Sequence, residues 1–248
     1  TGVGGVYTYG AASALAQLEL GGGYEELRYQ NGDDFNKDLE RNTTPLRATG
    51  FYRVAPKTRL LLEGRNTNYD YTNDDDSDSD SYAMLMGVTW DATAKTSGTI
   101  KVGGEKLKYN NSTYDDQSNA TWEAGVKWAP RTYSTFNLST AQAFSPGNDS
   151  SGSGNDSSGS IDAQTTKLAW NHSWLERLSS DVSYSYTDND YQGSPQQDYI
   201  DIVGVGLTYN MRRWLDIGVG YKYATSDSNY PDNSYNRNIY AINFKASL

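Results

Sequence analysis

The densest set of hard oxygen donors in the chain is Thr72–Ser81, TNDDDSDSDS, where Asp74, Asp75, Asp76, Asp78 and Asp80 could hold a loop-bound calcium ion. The segment lacks the glycine and terminal glutamate spacing of an EF-hand, so a solvated acidic loop is the better account of it. Gly147–Ser153 and Gly154–Ser160 repeat GNDSSGS, which has the composition of calcium-binding turns and also of a flexible low-complexity loop. Glu25 and Glu26, or Asp188 and Asp190, are paired carboxylates of the kind a glycosidase uses. On an extended strand the first pair points to opposite faces, and the second lies beside a loop as solvated charge. His172 is the single histidine and has no ligating or catalytic companions, so it reads as an interfacial aromatic. Gly21-Gly22-Gly23 continues into Tyr24-Glu25-Glu26 rather than into a helix, which removes the phosphate-loop reading. No nucleophile–base–orienter set emerges, and the chain reads as a non-enzyme without a cofactor beyond the calcium candidates.

Composition narrows the field further. Cysteine is absent, which excludes a disulfide framework and thiolate metal sites. The net charge is −10, with no basic stripe for nucleic acid. Hydrophobic residues are only 36%, yet aromatics reach 13%, too many for a disordered chain. No apolar run is long enough for a membrane helix.

The elements that carry these residues have a period of two. Tyr82, Met84, Met86, Val88 and Trp90 alternate with Ala83, Leu85, Gly87 and Thr89. Leu215, Ile217, Val219, Tyr221 and Tyr223 alternate with Asp216, Gly218, Gly220 and Lys222. Trp122–Trp128, Leu168–Trp174 and Tyr240–Leu248 repeat the pattern. The segments predict thirteen strands near 2–11, 14–29, 41–54, 58–71, 81–92, 97–109, 119–129, 133–145, 161–174, 178–191, 198–211, 214–228 and 236–248. Connections alternate between short turns and long loops, the latter near 31–40, 72–80, 110–118, 146–160, 192–197 and 229–235. Long strands with short turns on one side and long loops on the other describe a transmembrane antiparallel up-and-down β-barrel, here a single domain over 1–248.

A barrel of this size has a lumen too wide for its apolar face to fill, so that face should meet lipid. The opposite set, Glu19, Arg47, Arg53, Glu63, Arg65, Lys101, Glu105, Glu123, Lys127, Asp216 and Lys222, should then line the pore. Trp90, Trp128, Trp174, Tyr209 and Trp214 collect beside the short turns as an aromatic girdle. Tyr24, Tyr82, Tyr109, Tyr186, Tyr199 and Tyr223 would form the second girdle near the long loops. Most of the negative charge sits in those loops, and an acidic mouth concentrates cations and repels polyanions. If Leu248 ends in the periplasm, counting back sends segment 2–11 downward as well. Bacterial barrels carry even strand numbers with both ends inside, so at least one further upward strand is expected before it, for a total of about 14 to 18.

Three stretches are specific beyond the pattern. Trp122–Phe144 (WEAGVKWAPRTYSTFNLSTAQAF), Asp91–Gly98 (DATAKTSG) and Arg213–Tyr223 (RWLDIGVGYKY), with Tyr235–Tyr240, resemble the outer-membrane β-barrel porin family found with exopolysaccharide biosynthesis and export clusters of Gram-negative bacteria. The resemblance runs along nearly the whole chain, and members of that family look larger, so this chain resembles the C-terminal part of one. It implies an outer-membrane location and a passive channel for exopolysaccharide secretion. The implied partners are lipid and lipopolysaccharide, the barrel assembly machinery and a periplasmic polysaccharide-export protein. A cation-biased diffusion porin and a plugged, adhesin-like barrel are the competing readings. An aromatic track in the lumen would favour polysaccharide, opposed Arg and Asp/Glu a small-solute porin, and a packed lumen the structural role.

Overall fold

A computed structural model describes residues 1–11, 13–29, 37–73, 75–93, 95–111, 115–146, 160–230 and 233–246. The strands are β1 (Gly2–Tyr9), β2 (Ala16–Leu27), β3 (Arg41–Ala55), β4 (Thr58–Tyr71), β5 (Ser79–Thr93), β6 (Thr96–Tyr109), β7 (Gln117–Arg131), β8 (Ser134–Pro146), β9 (Ser160–Leu175), β10 (Leu178–Gln192), β11 (Gln197–Arg212), β12 (Leu215–Ser228) and β13 (Tyr235–Ala246). They form one sheet in chain order, each antiparallel to the next. Two short 3-10 turns, Lys37–Leu39 and Asp75–Ser77, sit in the long-loop side. The strand count and order are those the alternation predicts.

Some boundaries differ from the expected ones: β1 ends at Tyr9 rather than 11, and β2 runs Ala16–Leu27 rather than 14–29. β5, β7 and β9 begin earlier on the long-loop side than hydropathy indicates, at Ser79, Gln117 and Ser160. Backbone pairing there continues past the apolar band, because a strand outside the bilayer needs no apolar face. Trp214 lies in the turn after β11 rather than inside a strand, and β12 starts at Leu215.

The burial pattern inverts that of a water-soluble protein. Met84, Met86, Val102, Val219 and Ile242 are exposed, Met86 at 65%. Thr49, Glu63, Ser81, Lys101 and Thr121 are buried, Glu63 at 3%. Exposed aliphatic side chains on every strand are costly in water and favourable in lipid. Backbone pairing between neighbouring strands satisfies the amide groups that a bilayer cannot. The unpaired edges of β1 and β13 need partners in lipid, either each other or other strands of the protein.

Two glycines mark a close approach of β5 and β6. Gly87 lies opposite Lys101, and Gly103 lies opposite Leu85. A Cβ built on Gly87 would overlap the Ile100 carbonyl oxygen, and one on Gly103 the Met84 carbonyl oxygen. The absence of side chains lets β5 and β6 approach. Leu85, with 0% exposure, is packed at this contact.

Candidate functional site

Strand register decides which residues share a face, since directly opposed residues point the same way. Glu19 faces Thr49, Thr49 faces Glu63, Arg47 faces Arg65, and Lys101 faces Glu123. Arg53 faces Arg59, Glu105 faces Asn119, Lys127 faces Asn137, Lys222 faces Gly204, and Asp216 faces Lys245. Followed from strand to strand, all eleven predicted charged positions fall on one face, here called the polar face.

Four of them are brought together. Arg65 binds both Glu63 on its own strand and Glu123 on β7. Lys101 Nζ lies 3.2 Å from Glu63 Oε1 and 2.5 Å from Glu123 Oε2. Thr49 Oγ1 donates to Glu63 Oε2 at 3.0 Å. Two cations therefore meet two carboxylates, and the cluster carries no net charge. Because Arg65 and Glu123 are three strands apart, at about 4.8 Å per strand, the polar face must be concave for them to touch. The remaining seven stand apart from this cluster. Asp216 accepts from Asn210 Nδ2 at 2.7 Å, and Glu105 belongs to a second group nearer the long loops.

That second group marks an irregularity in the wall. β7–β8 pairing stops at Trp122↔Gln142, although β7 extends to Gln117 and β8 to Pro146. β8 remains paired with β9 to Pro146↔Ser160. Above the split, polar-face groups of β6 and β7 bond to β8 and β9. Thr121 Oγ1 donates to the Gln142 carbonyl at 2.5 Å, and Asn119 Nδ2 donates to Asp162 Oδ2 at 2.5 Å. The Phe144 amide donates to Glu105 Oε2 at 3.1 Å, while Ser81 Oγ holds Glu105 Oε1 at 2.6 Å. Gln142 Nε2 reaches Asp162 at 2.8 Å. Gln142, Phe144 and Asp162 are in phase with the apolar-face residues Leu138 and Leu168, yet they contact the polar face of β6–β7. β8 has stepped to the concave side of its neighbour.

The sequence reading missed this group. Its one signal was Phe144, an aromatic returning to the apolar face beyond polar Thr140 and Gln142. Phe144 is buried.

The opposite face carries the girdle. Trp90, Trp128, Trp174 and Tyr209 lie on it beside the short turns, with Trp214 in the turn itself. Trp128 stacks on Phe136 with centroids 5.2 Å apart, and Trp174 Nε1 donates to Ser180 Oγ at 2.9 Å. His172 sits among Trp170, Trp174 and Tyr133, as an interfacial aromatic would. Tyr24, Tyr82, Tyr186, Tyr199 and Tyr223 share the apolar face. Tyr109 does not: it opposes Ser79 and so points to the polar face, a correction to the second girdle. The two-residue period places it one position out of phase with Lys106 and Lys108.

The calcium candidates are dispersed in their bonding. Asp78 Oδ1 accepts the Tyr71 amide at 2.7 Å, Asp80 Oδ1 accepts Asn68 Nδ2 at 3.2 Å, and Asp76 Oδ1 accepts Asn111 Nδ2 at 2.9 Å. Asp74 and the side chain of Asp75 lie outside the described residues, as do 147–159, which hold most of the GNDSSGS repeat, and Leu248. Among the described residues no three acidic or histidine side chains gather as a metal site.

Comparison with known proteins agrees with this architecture. The profile of the family described as "Putative beta-barrel porin 2" matches residues 5–248. The FrpB iron transporter from Neisseria meningitidis (F5-1 variant) superposes with a TM-score of 0.61 at 14% identity, over 94% of this chain and 45% of that one. The copper transporter OprC gives 0.56 at 12% identity, over 94% of this chain and 46% of that one. The chain thus spans less than half the length of these structures, and at such identity the likeness concerns the fold. No curated protein matches the sequence.

Proposed function

The chain belongs to that β-barrel porin family, a family of Gram-negative outer-membrane barrels, and from this premise we propose that the full-length protein is a passive channel for small hydrophilic solutes. The observation that carries the reading is the Glu63–Arg65–Lys101–Glu123 cluster on the concave polar face. Paired charges of both signs on one wall of the water path offer a polar solute both donors and acceptors. A polar solute replaces its hydration contacts there without chemistry, while salt-screened charges elsewhere matter less. Among the described residues, no file of aromatic rings runs along the polar face at the level of the cluster.

A second reading is export of an exopolysaccharide. It is favoured by the polar face of β8–β12, where Asn137, Ser139, Thr165, Ser183, Gly204 and Gly206 lie between the well-spaced charges of Lys167, Asp181, Asp216 and Lys222. Small hydroxyl and amide groups bind a hydrated neutral polymer weakly and let it move. On that reading a periplasmic export protein would supply the polymer.

Single-channel conductance of the full-length protein in planar bilayers tests both. Discrete steps that are unaffected by added neutral polysaccharide support the diffusion porin. Steps that the polysaccharide blocks support export. A folded protein with no steps sinks the channel reading and leaves a structural barrel.

A further inference from the structure

We propose that the inward step of β8–β9 is the channel's size-selecting constriction, distinct in chemistry from the charged cluster beside it; this rests on the channel reading above. A barrel wall is one sheet thick. Between Gln142 and Pro146, and between Ser160 and Asp162, this wall lies inside its neighbour, held by Thr121, Asn119 and Glu105. Phe144 and Ser160, both apolar-face positions, are buried, so the apolar side of this end of the hairpin is covered. A strand end displaced by one wall thickness takes its cross-section from the lumen.

The surface it turns inward is chemically plain. The polar-face residues of the step are Ala143, Ser145 and Ile161, with Ile161 opposite Ser145 and Ala163 opposite Ala143 at its base. None carries charge. The charged groups at this level are turned against the wall: Asp162 is held by Asn119 and Gln142, and Glu105 by Ser81 and the Phe144 amide. The step therefore discriminates by size, whereas Glu63, Arg65, Lys101 and Glu123 discriminate by charge.

The test separates the two by changing the step without changing charge. In the full-length protein, Asn119→Ala with Thr121→Val removes two ties between β7 and β8–β9. Planar-bilayer recordings with neutral polyethylene glycols of graded mass read the size cut-off, and reversal potentials under a salt gradient read charge selectivity. The expected result is a cut-off shifted to larger polymers with the reversal potential unmoved. An unchanged cut-off in a folded variant, or a reversal potential that moves while the cut-off does not, overturns the proposal.

A second variant guards against one that relaxes elsewhere. These 248 residues hold no cysteine, so Asn119→Cys with Asp162→Cys adds one addressable pair to them, any cysteine elsewhere in the protein being replaced by serine. Bridging it with a short reducible bis-methanethiosulfonate should keep the native cut-off, and reducing the bridge should raise it. Failure to bridge in the folded protein overturns the inward step itself. Bridging without any conductance sinks the channel reading instead.

Discussion

Arg65 on β4 and Glu123 on β7 are bonded across two intervening strands. Neither β5 nor β6 blocks the contact, because the intervening polar-face positions include Gly87 and Gly103, and the sheet curves around them. The charge pair spans the part of the sheet where β5 and β6 approach closely at these two glycines.

Removing one carboxylate from the cluster leaves two cations against one anion. Glu63→Gln should therefore shift the reversal potential of the full-length channel toward anions. It should also cost about 1–3 kcal/mol, since a nearly buried group that accepts from Thr49, Arg65 and Lys101 loses its charge-assisted bonds. Selectivity that stays cation-biased to the same degree would remove the cluster from the water path.

Gly87→Ala should impair folding more than its size suggests. The added methyl would overlap the Ile100 carbonyl, and overpacking of this kind costs about 1–3 kcal/mol. The expected outcome is a lower heat-modification temperature on semi-native gels. An equal change at Gly64, whose Cβ would meet nothing within 4 Å, should leave that temperature unaltered.

The girdle makes a depth prediction. Trp128, exposed and stacked on Phe136, should be quenched by lipids brominated near the headgroup more than by lipids brominated at the chain ends. Trp128→Ala should lose about 0.5–1.5 kcal/mol of pair energy beyond the area it buries. Quenching strongest at mid-bilayer would place the short turns elsewhere.

The loop before β7 gives a pH prediction. Lys106 Nζ lies 3.1 Å from Asp116 Oδ2, and its hydrogen bond holds the Asp116 carboxyl below the usual carboxylate range. A folded-state value below the unfolded one means that the pair contributes at neutral pH, above the unfolded value. Its contribution fades as pH falls through the folded value. NMR titration of the micelle-embedded protein should show Asp116 returning to ordinary behaviour in Lys106→Met. An unaltered titration would mean that the pair does not form in solution.

Sequence alone determined the strand number, the order of turns and loops, and the face of each charged residue, because the two-residue period ties side-chain direction to chain position. Glu63, Arg65, Lys101 and Glu123 were legible as one face for that reason. Their union was not, since it depends on how far the sheet curves between β4 and β7, which no single residue type announces. Tyr109 shows a different limit: it shares the phase of Lys101 and Glu105, so the period already put it on the polar face, and grouping it with the girdle by its place at a strand end overrode that phase, as the Ser79↔Tyr109 register shows. The inward step at Gln142 belongs wholly to the tertiary structure. Thr121, Asn119 and Glu105 are ordinary polar-face residues in sequence, and they became a set of ties only because β8 leaves its ladder with β7 and crosses to their side.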